Sequence, residues 1–295
     1  MITAAAVKEL RDRTGAGMMD CKRALQEVQG DLEKAIALLR EKGLAAAAKR
    51  AGRAANQGLI MGQVKGSEAS LIEVNCETDF VAKNEDFQEW VQQLADTVLE
   101  NKFTSVEQLL EHKIDGLTVQ EELTNQIATI GENMGIRRVA YYQPAENTLM
   151  DLYIHGGGRI GVLVALKFAN EKAIKSELAE ELAHDLALQI AASRPLYIDS
   201  EEVPADIVEK EKEIYLAQAI NEGKPENIAQ RMVEGRIRKY FEEICLVEQV
   251  FVKDTGVSVG QLLKNVAKEL NTEIAVKSFT RFEIGEGFEA EESEN

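Results

Sequence analysis

At 295 residues the chain is long enough for two or three domains, at least one of them with a sizeable buried core. Hydrophobic residues make up 45% and charged residues 29%, and the net charge of -17 argues against a nucleic-acid binder that works through a broad basic face. Cys21, Cys76 and Cys245 lie far apart and form no Cys-x-x-Cys pair, which gives neither a disulfide framework nor a zinc site. The N-terminal 13 residues lack the apolar core of a signal peptide because Lys8, Glu9 and Arg11 interrupt them, and the longest apolar run, 160–166, is too short to span a bilayer. The expectation is a cytoplasmic protein that binds neither membrane nor nucleic acid and draws its selectivity from protein contacts.

Residues 1–54 read as a three-helix module with a linker. Thr3 caps a first helix with Val7 and Leu10 on its inner face, and Gly15-Ala16-Gly17 breaks it. A second helix over 18–29 stops at Gly30, and Asp31 caps a third that carries Leu32, Ile36 and Leu39. The Ala-rich stretch 44–56, with Lys49, Arg50 and Arg53, reads as a helical or flexible linker whose charge is solvated.

From Gln57 the period changes. Residues 59–64 and 69–74 are strands joined by a turn at Lys65-Gly66-Ser67-Glu68, and a helix over 84–100 follows with Phe87, Val91, Leu94 and Val98 at helical spacing. The same order recurs with strands at 149–154 and 160–168 around Gly156-Gly157-Gly158, then a helix through Leu178, Leu182, Leu186 and Ile190. This predicts an α+β core in two related half-domains, 55–145 and 146–284. An antiparallel coiled-coil hairpin at about 204–244 is inserted in the second half. Pro204 opens its first helix, Gly223 and Pro225 punctuate the turn, and Ile228, Met232, Val233, Ile237, Tyr240, Phe241 and Ile244 line one face of the second. The apolar stretch 247–252 and a helix with Leu262, Leu263 and Val266 return the chain to the core, 278–283 forms a last strand, and 285–295 is a loose acidic tail.

Chemistry is sparse. No Gly-x-x-x-x-Gly-Lys-Ser/Thr loop is present, so the chain is not itself a P-loop GTPase. Gly156, Gly158 and Gly161 match the dinucleotide spacing Gly-x-Gly-x-x-Gly but lead into a strand, where the fingerprint must open a helix. His112, His155 and His184 show no metal-ligand spacing, so no metal, cofactor or catalytic constellation is expected. One segment stands apart: Glu73-Val74-Asn75-Cys76-Glu77-Thr78-Asp79-Phe80-Val81-Ala82 leaves a strand and reaches a helix through Thr78-Asp79-Phe80-Val81. Thr78 or Asp79 caps the helix start, with Phe80 either tucked into the core or presented to a partner.

Together these residues resemble the elongation factor Ts family. The resemblance rests on that segment, on Val7-Lys8-Glu9-Leu10-Arg11-Asp12-Arg13-Thr14-Gly15-Ala16-Gly17-Met18-Met19-Asp20-Cys21-Lys22, and on Ile130-Gly131-Glu132-Asn133 followed by Ile136-Arg137-Arg138. His155-Gly156 with Arg159-Ile160-Gly161-Val162, then Lys224-Pro225, Met232-Val233-Glu234-Gly235-Arg236 and Arg281-Phe282-Glu283, complete a series in chain order. The resemblance implies an N-terminal module of ubiquitin-associated type and a protein that is not an enzyme. It implies a guanine-nucleotide exchange factor that binds the GTPase elongation factor Tu and speeds GDP release without touching the nucleotide. It carries a Mg2+-dislocating role onto Thr78, Asp79, Phe80 and Val81, and further partner contacts onto Met18, Met19, Lys22 and His155. Met18 and Met19 make an adaptable apolar surface if exposed, or one of them packs in the core. The hairpin is expected to serve self-association, as in a homodimer within a 2:2 complex, or partner contacts. The short acidic end stands where longer members carry a helix used against the GTPase, and the bacterial cytoplasmic form is closer than the mitochondrial one. The alternative from another class is a binding adaptor that uses the three-helix module alone.

Overall fold

The computed structural model describes residues 2–143 and 145–287. Three helices open the chain: α1 (Ala4–Thr14), α2 (Met18–Glu27) and α3 (Leu32–Arg50). A hairpin of β1 (Gln57–Lys65) and β2 (Glu68–Cys76) leads through the single turn α4 (Asp79–Ala82) to α5 (Glu85–Asn101) and α6 (Val106–Glu111). The short pair β3 (Lys113–Ile114) and β4 (Leu117–Thr118), then α7 (Val119–Ile130) and β5 (Met134–Tyr142), follow. A second hairpin, β6 (Thr148–His155) and β7 (Ile160–Phe168), precedes α8 (Glu171–Ile174), α9 (Glu177–Ser193), α10 (Ala205–Asn221) and α11 (Glu226–Ile244). A 3-10 turn (Leu246–Glu248), α12 (Val259–Glu269) and β8 (Ile274–Glu283) close the fold, which is α+β.

The N-terminal helices start and stop on local chemistry. Thr3 Oγ1 accepts from the Ala6 amide at 3.2 Å, and Asp31 accepts from the Lys34 amide at 3.1 Å. α2 ends two residues earlier than its sequence pattern predicts, because Gln29 and Gly30 both take left-handed φ values, 57° and 89°. Residues 44–50 form no separate linker: they continue α3, as a run of alanines favours. Gly43, buried in mid-helix, faces α7, where even a Cβ would sit in ordinary contact 3.6 Å from the Ala128 Cβ. Arg50 Nε donates to the Gly131 carbonyl at 2.8 Å and an Arg40–Glu121 ion pair adds to the seam.

Two three-stranded antiparallel sheets, ordered β1-β2-β5 and β6-β7-β8, form the core. Each central strand is buried on both faces. Along β7, Val162, Val164 and Leu166 face α9 and α12, whereas Leu163 and Ala165 face the other sheet. Along β2, Ile72, Val74 and Cys76 face α5 and α7, whereas Ala69 and Leu71 meet Leu163, Met150 and Phe282 between the sheets. The layers therefore run helix, sheet, sheet, helix, which is why these strands read as near-continuous apolar runs. Strand β5 has no such run: its half-buried Arg137, Arg138, Tyr141 and Tyr142 hid it from pattern reading.

Two glycines of the Gly-x-Gly-x-x-Gly match, Gly158 and Gly161, serve this packing. A Cβ on Gly161 would overlap Ile60 Cγ2 and reach 3.0 Å from Leu71 Cδ1, and one on Gly158, at φ 92°, would overlap Leu59. Ile60 N donates to the Gly158 carbonyl at 2.8 Å, tying the turn of one sheet to the edge strand of the other. A bulge at Glu73/Val74 sets both Arg137 and Arg138 opposite the fully buried Glu73. Arg138 Nε donates to Glu73 at 2.6 Å, its guanidinium lies 4.3 Å from the Phe282 ring centroid, and Nη2 donates to the Glu283 carbonyl.

α10 folds back on α11 across Gly223, with Arg236 bonded to Gln218 at 2.9 Å and lying 5.9 Å from the Tyr215 ring. The seam is narrower than the expected apolar face: Ala229, Val233 and Ile237 are buried with Ala219, whereas Ile228 is exposed and Met232, Tyr240, Phe241 and Ile244 are half-buried. The 247–252 stretch is likewise only partly a return to the core, for Phe251 is buried but Val250 and Val252 are exposed. Of the acidic tail, residues 288–295 lie outside the described residues, and its first residues are tethered: Glu286 pairs with Arg138 at 3.2 Å and with Arg281 at 3.7 Å.

Gly161→Ala should lower the unfolding free energy by about 1–3 kcal/mol through overpacking. Gly235→Ala, on helical backbone with open space around its Cβ position, should raise it by about 0.4–1 kcal/mol. Urea unfolding followed by far-UV circular dichroism checks both signs.

Candidate functional site

The segment after β2 builds a rigid pedestal. Thr78 has extended backbone, φ -124° and ψ 155°, and its Oγ1 accepts from the Val81 amide at 3.5 Å to cap α4. The same hydroxyl donates to Glu132 Oε1 at 2.7 Å, and the Thr78 amide donates to Glu132 Oε2 at 3.0 Å. Cys76 Sγ donates to the Thr78 carbonyl at 3.2 Å, and burial, with Glu132 next, pushes this thiol up to about 12, so it stays protonated and unreactive at neutral pH. On the far side Asn84 caps α5 by accepting from the Phe87 amide at 3.1 Å, and Gln88 Nε2 donates to the Ala82 carbonyl at 3.2 Å. Both ends of a four-residue helix are thereby fastened.

What this pedestal presents is Phe80. Its exposure, 81%, exceeds that of every other exposed large hydrophobic side chain among the described residues. Phe87, seven residues on, is buried, so the chain has room for aromatics in its core and leaves Phe80 out. Of the two sequence expectations, the tucked-in one is thus corrected: Val81 and Ala82, both half-buried, pack against the core in its place. Asp79 is half-exposed beside Phe80 and pairs with Lys83 Nζ at 2.6 Å, one helical turn on; that hydrogen bond holds its carboxyl below the usual carboxylate range.

The other candidates sit on other elements. Met18 and Met19 are 55% and 62% exposed on the first turn of α2, and Lys22 is exposed one turn later, while Cys21, Ala24 and Leu25 turn the opposite face inward. Core packing of either methionine is thereby ruled out. His155 is exposed at the end of β6, with Nδ1 2.7 Å from the Tyr153 hydroxyl. It borders an apolar cleft with Ile160, Leu188, Ala191 and Val252, which hydropathy placed inside. Among the described residues no cluster of three or more His, Cys, Asp or Glu side chains is arranged to hold a metal ion, and no helix is long and apolar enough to cross a membrane.

Sequence reasoning gave Glu77 and Glu132 no role, although both lie in quoted motifs. Glu77 Oε1 accepts from the Asn133 amide at 2.6 Å and lies 3.4 Å from Arg53 Nη1. The local signal was Gly131, which ends α7 at φ 87° and turns residues 132 and 133 toward the pedestal.

A family model described as Elongation factor TS matches residues 77–286, a stretch that begins at the pedestal and includes both sheets' closing strands. The relatives agree over a greater length. The elongation factor Ts of Clostridium kluyveri is 51% identical over 299 aligned positions, covering 100% of this chain and 96% of that protein. The chain belongs to the elongation factor Ts family. The elongation factor Ts of Clostridium perfringens is 51% identical, over 99% of this chain and 96% of its own length, and that of Clostridium novyi is 50% identical over 99% and 95%. Membership favours a role in translation elongation over that of a general adaptor. The elongation factor Ts relatives align through the three-helix module as well as the core, since coverage of this chain is complete or nearly so.

Because Phe80 contacts solvent, its removal should leave the fold alone. Phe80→Ala should change the unfolding free energy by no more than about 0.5 kcal/mol in urea titrations, whereas Phe87→Ala, from the core, should cost about 3–5 kcal/mol.

Proposed function

We propose that this protein is the guanine-nucleotide exchange factor of elongation factor Tu, and that it works by presenting Phe80 as an apolar wedge. The observation that carries the reading is a large aromatic side chain held out in water on a turn fastened at both ends. A flexible loop would lose conformational freedom on docking; a capped turn has already lost it, so more of the apolar burial appears as binding energy. Mg2+ bridges nucleotide phosphates in near-ideal octahedral geometry, and a small displacement of its ligands weakens the site disproportionately. Phe80 entering between elements of the GTPase supplies that displacement, with Asp79 as a hydrogen-bond acceptor for groups it moves and Thr78 and Val81 as the anchors of the turn.

Linkage gives the energetics. If this chain weakens GDP binding by some factor, GDP weakens the chain's binding equally. A thousandfold acceleration of release takes about 4 kcal/mol off the barrier, within reach of two or three buried anchors of about 2 kcal/mol each. No bond is made or broken on this chain, and the cellular GTP/GDP ratio sets the direction.

The rest of the architecture divides accordingly. Residues 1–54, a ubiquitin-associated-like unit in this reading, add a second contact through Met18, Met19 and Lys22, whose unbranched side chains adapt to an apolar surface. The halves 55–145 and 146–284 form the frame, with His155 beside a further apolar contact. The paired helices of 204–244 act as a coiled-coil arm for self-association, including a 2:2 complex, or for the partner. The place of work is the cytoplasm, without nucleic acid, membrane or direct nucleotide contact.

Stopped-flow release of fluorescent GDP from elongation factor Tu tests this. The wild-type chain should accelerate release by orders of magnitude, and Phe80→Ala should lose at least about tenfold of that acceleration, an anchor's worth. Equal rates with and without the wild-type chain would refute the exchange reading; full activity of Phe80→Ala would refute the wedge alone.

A further inference from the structure

Two carboxylates cross between the Phe80 pedestal and the turn that follows α7. Glu132, on that turn, accepts two hydrogen bonds from Thr78, from Oγ1 at 2.7 Å and from the amide at 3.0 Å. Glu77, on the pedestal, accepts one from the Asn133 amide at 2.6 Å. Each loop thus feeds the other's carboxylate with backbone N–H, in geometry that charge strengthens. The Thr78 hydroxyl is used in both directions: it has one hydrogen, given to Glu132, and accepts from the Val81 amide. Glu132 therefore decides which way the capping oxygen points, and the cap decides the axis of the single turn on which Phe80 stands.

From this geometry we infer that Glu132 is a positioning residue for exchange, acting through Thr78 on Phe80, with Glu77 locking the opposite side. The inference rests on the wedge reading given above and extends it to residues that act through Thr78. It also couples the pedestal to the N-terminal helices. The 131–133 turn receives Arg50 Nε on the Gly131 carbonyl at 2.8 Å, and Asn133 Nδ2 donates to the Arg53 carbonyl at 2.7 Å. The direction of Phe80 is thus set against the end of α3 as well as against the sheet. A four-residue helix carries too few internal hydrogen bonds to fix its own axis. Without Glu132, the Thr78 hydroxyl is released to rotate toward water and the turn frays.

A double-mutant cycle on GDP release, together with hydrogen exchange on the free chain, tests the assignment. Glu132→Ala should lower the stimulated release rate at least about tenfold, the effect of losing hydrogen bonds to a charged acceptor. In the Phe80→Ala background the same change should alter the rate by less than about twofold, because residues acting as one unit are non-additive. In the free chain, amides of residues 78–81 should exchange faster in Glu132→Ala than in wild type. Glu132→Gln keeps the side chain's volume and one acceptor; it should fall between the two in both readouts, and it decides the matter if the alanine variant does not fold. Losses that multiply in the cycle, wild-type release by Glu132→Ala, or unchanged amide exchange would each overturn the proposal. If the wild-type chain itself fails to accelerate release, the exchange reading falls, and amide exchange in the free chain still decides whether Glu132 orients the turn.

Discussion

Ile60 presses its Cγ2 methyl against the bare α-carbon of Gly161, and Leu59 does the same against Gly158. This approach of side chain to main chain sets the distance between the two sheets, and much else follows from it. With the sheets close, β2 and β7 lose water on their inner faces, while α5 and α9 cover the outer ones. The middle layer is then thin enough for Arg138 to reach from β5 to the Glu283 carbonyl on β8 while neutralising Glu73. The buried carboxylate is held by more than one partner, since Arg137 Nη1 lies 3.4 Å from it and Asn75 Nδ2 donates to it at 3.1 Å, as a charge taken out of water requires.

The pedestal depends on this frame. β2 is the central strand of its sheet and cannot shift register without moving its whole apolar set, so Cys76 and the turn beyond it leave the sheet at a fixed point and in a fixed direction. The chain then spends one turn of helix, capped by Thr78 and followed at once by the Asn84 cap of α5, on displaying a single phenylalanine. An aromatic ring left in water forgoes about 1.5–3 kcal/mol of burial. Among the described residues no packing recovers that loss, for the ring stands 81% exposed.

Much of this was legible from residue order, because the signals were local. Thr3, Asp31 and Asn84 announce helix starts through their own side chains, and both hairpins are marked by glycines between apolar runs. The pedestal was legible as a motif, but the exposure of Phe80 was not: a phenylalanine beside a valine at a helix start reads equally well as core. Three features required the third dimension. β5 carries arginines and tyrosines because its partners are Glu73, Glu68 and Thr280 from distant parts of the chain. Val250 and Val252 read as interior but are exposed, Val252 on the rim of an open cleft. Glu77 and Glu132 look like ordinary surface acids until two loops 54 residues apart are brought together. The Gly-x-Gly-x-x-Gly spacing could be set aside from sequence, since it leads into a strand, but the use of Gly158 and Gly161 to admit Leu59 and Ile60 could not be read there.

The unbroken helix α3 alters how a partner would meet this molecule. At about 1.5 Å per residue its 19 residues form a strut nearly 30 Å long, held to α7 through Gly43 and at its end through Arg50. The methionine patch of α2 and the ring of Phe80 are consequently mounted on one stiff body. A partner that engaged both would find them at a set distance, with no tether to search. The second contact is then intramolecular, and its effective concentration depends on the strut's geometry alone. The length of α3 thereby acts as a ruler that fixes the spacing of these two exposed apolar patches.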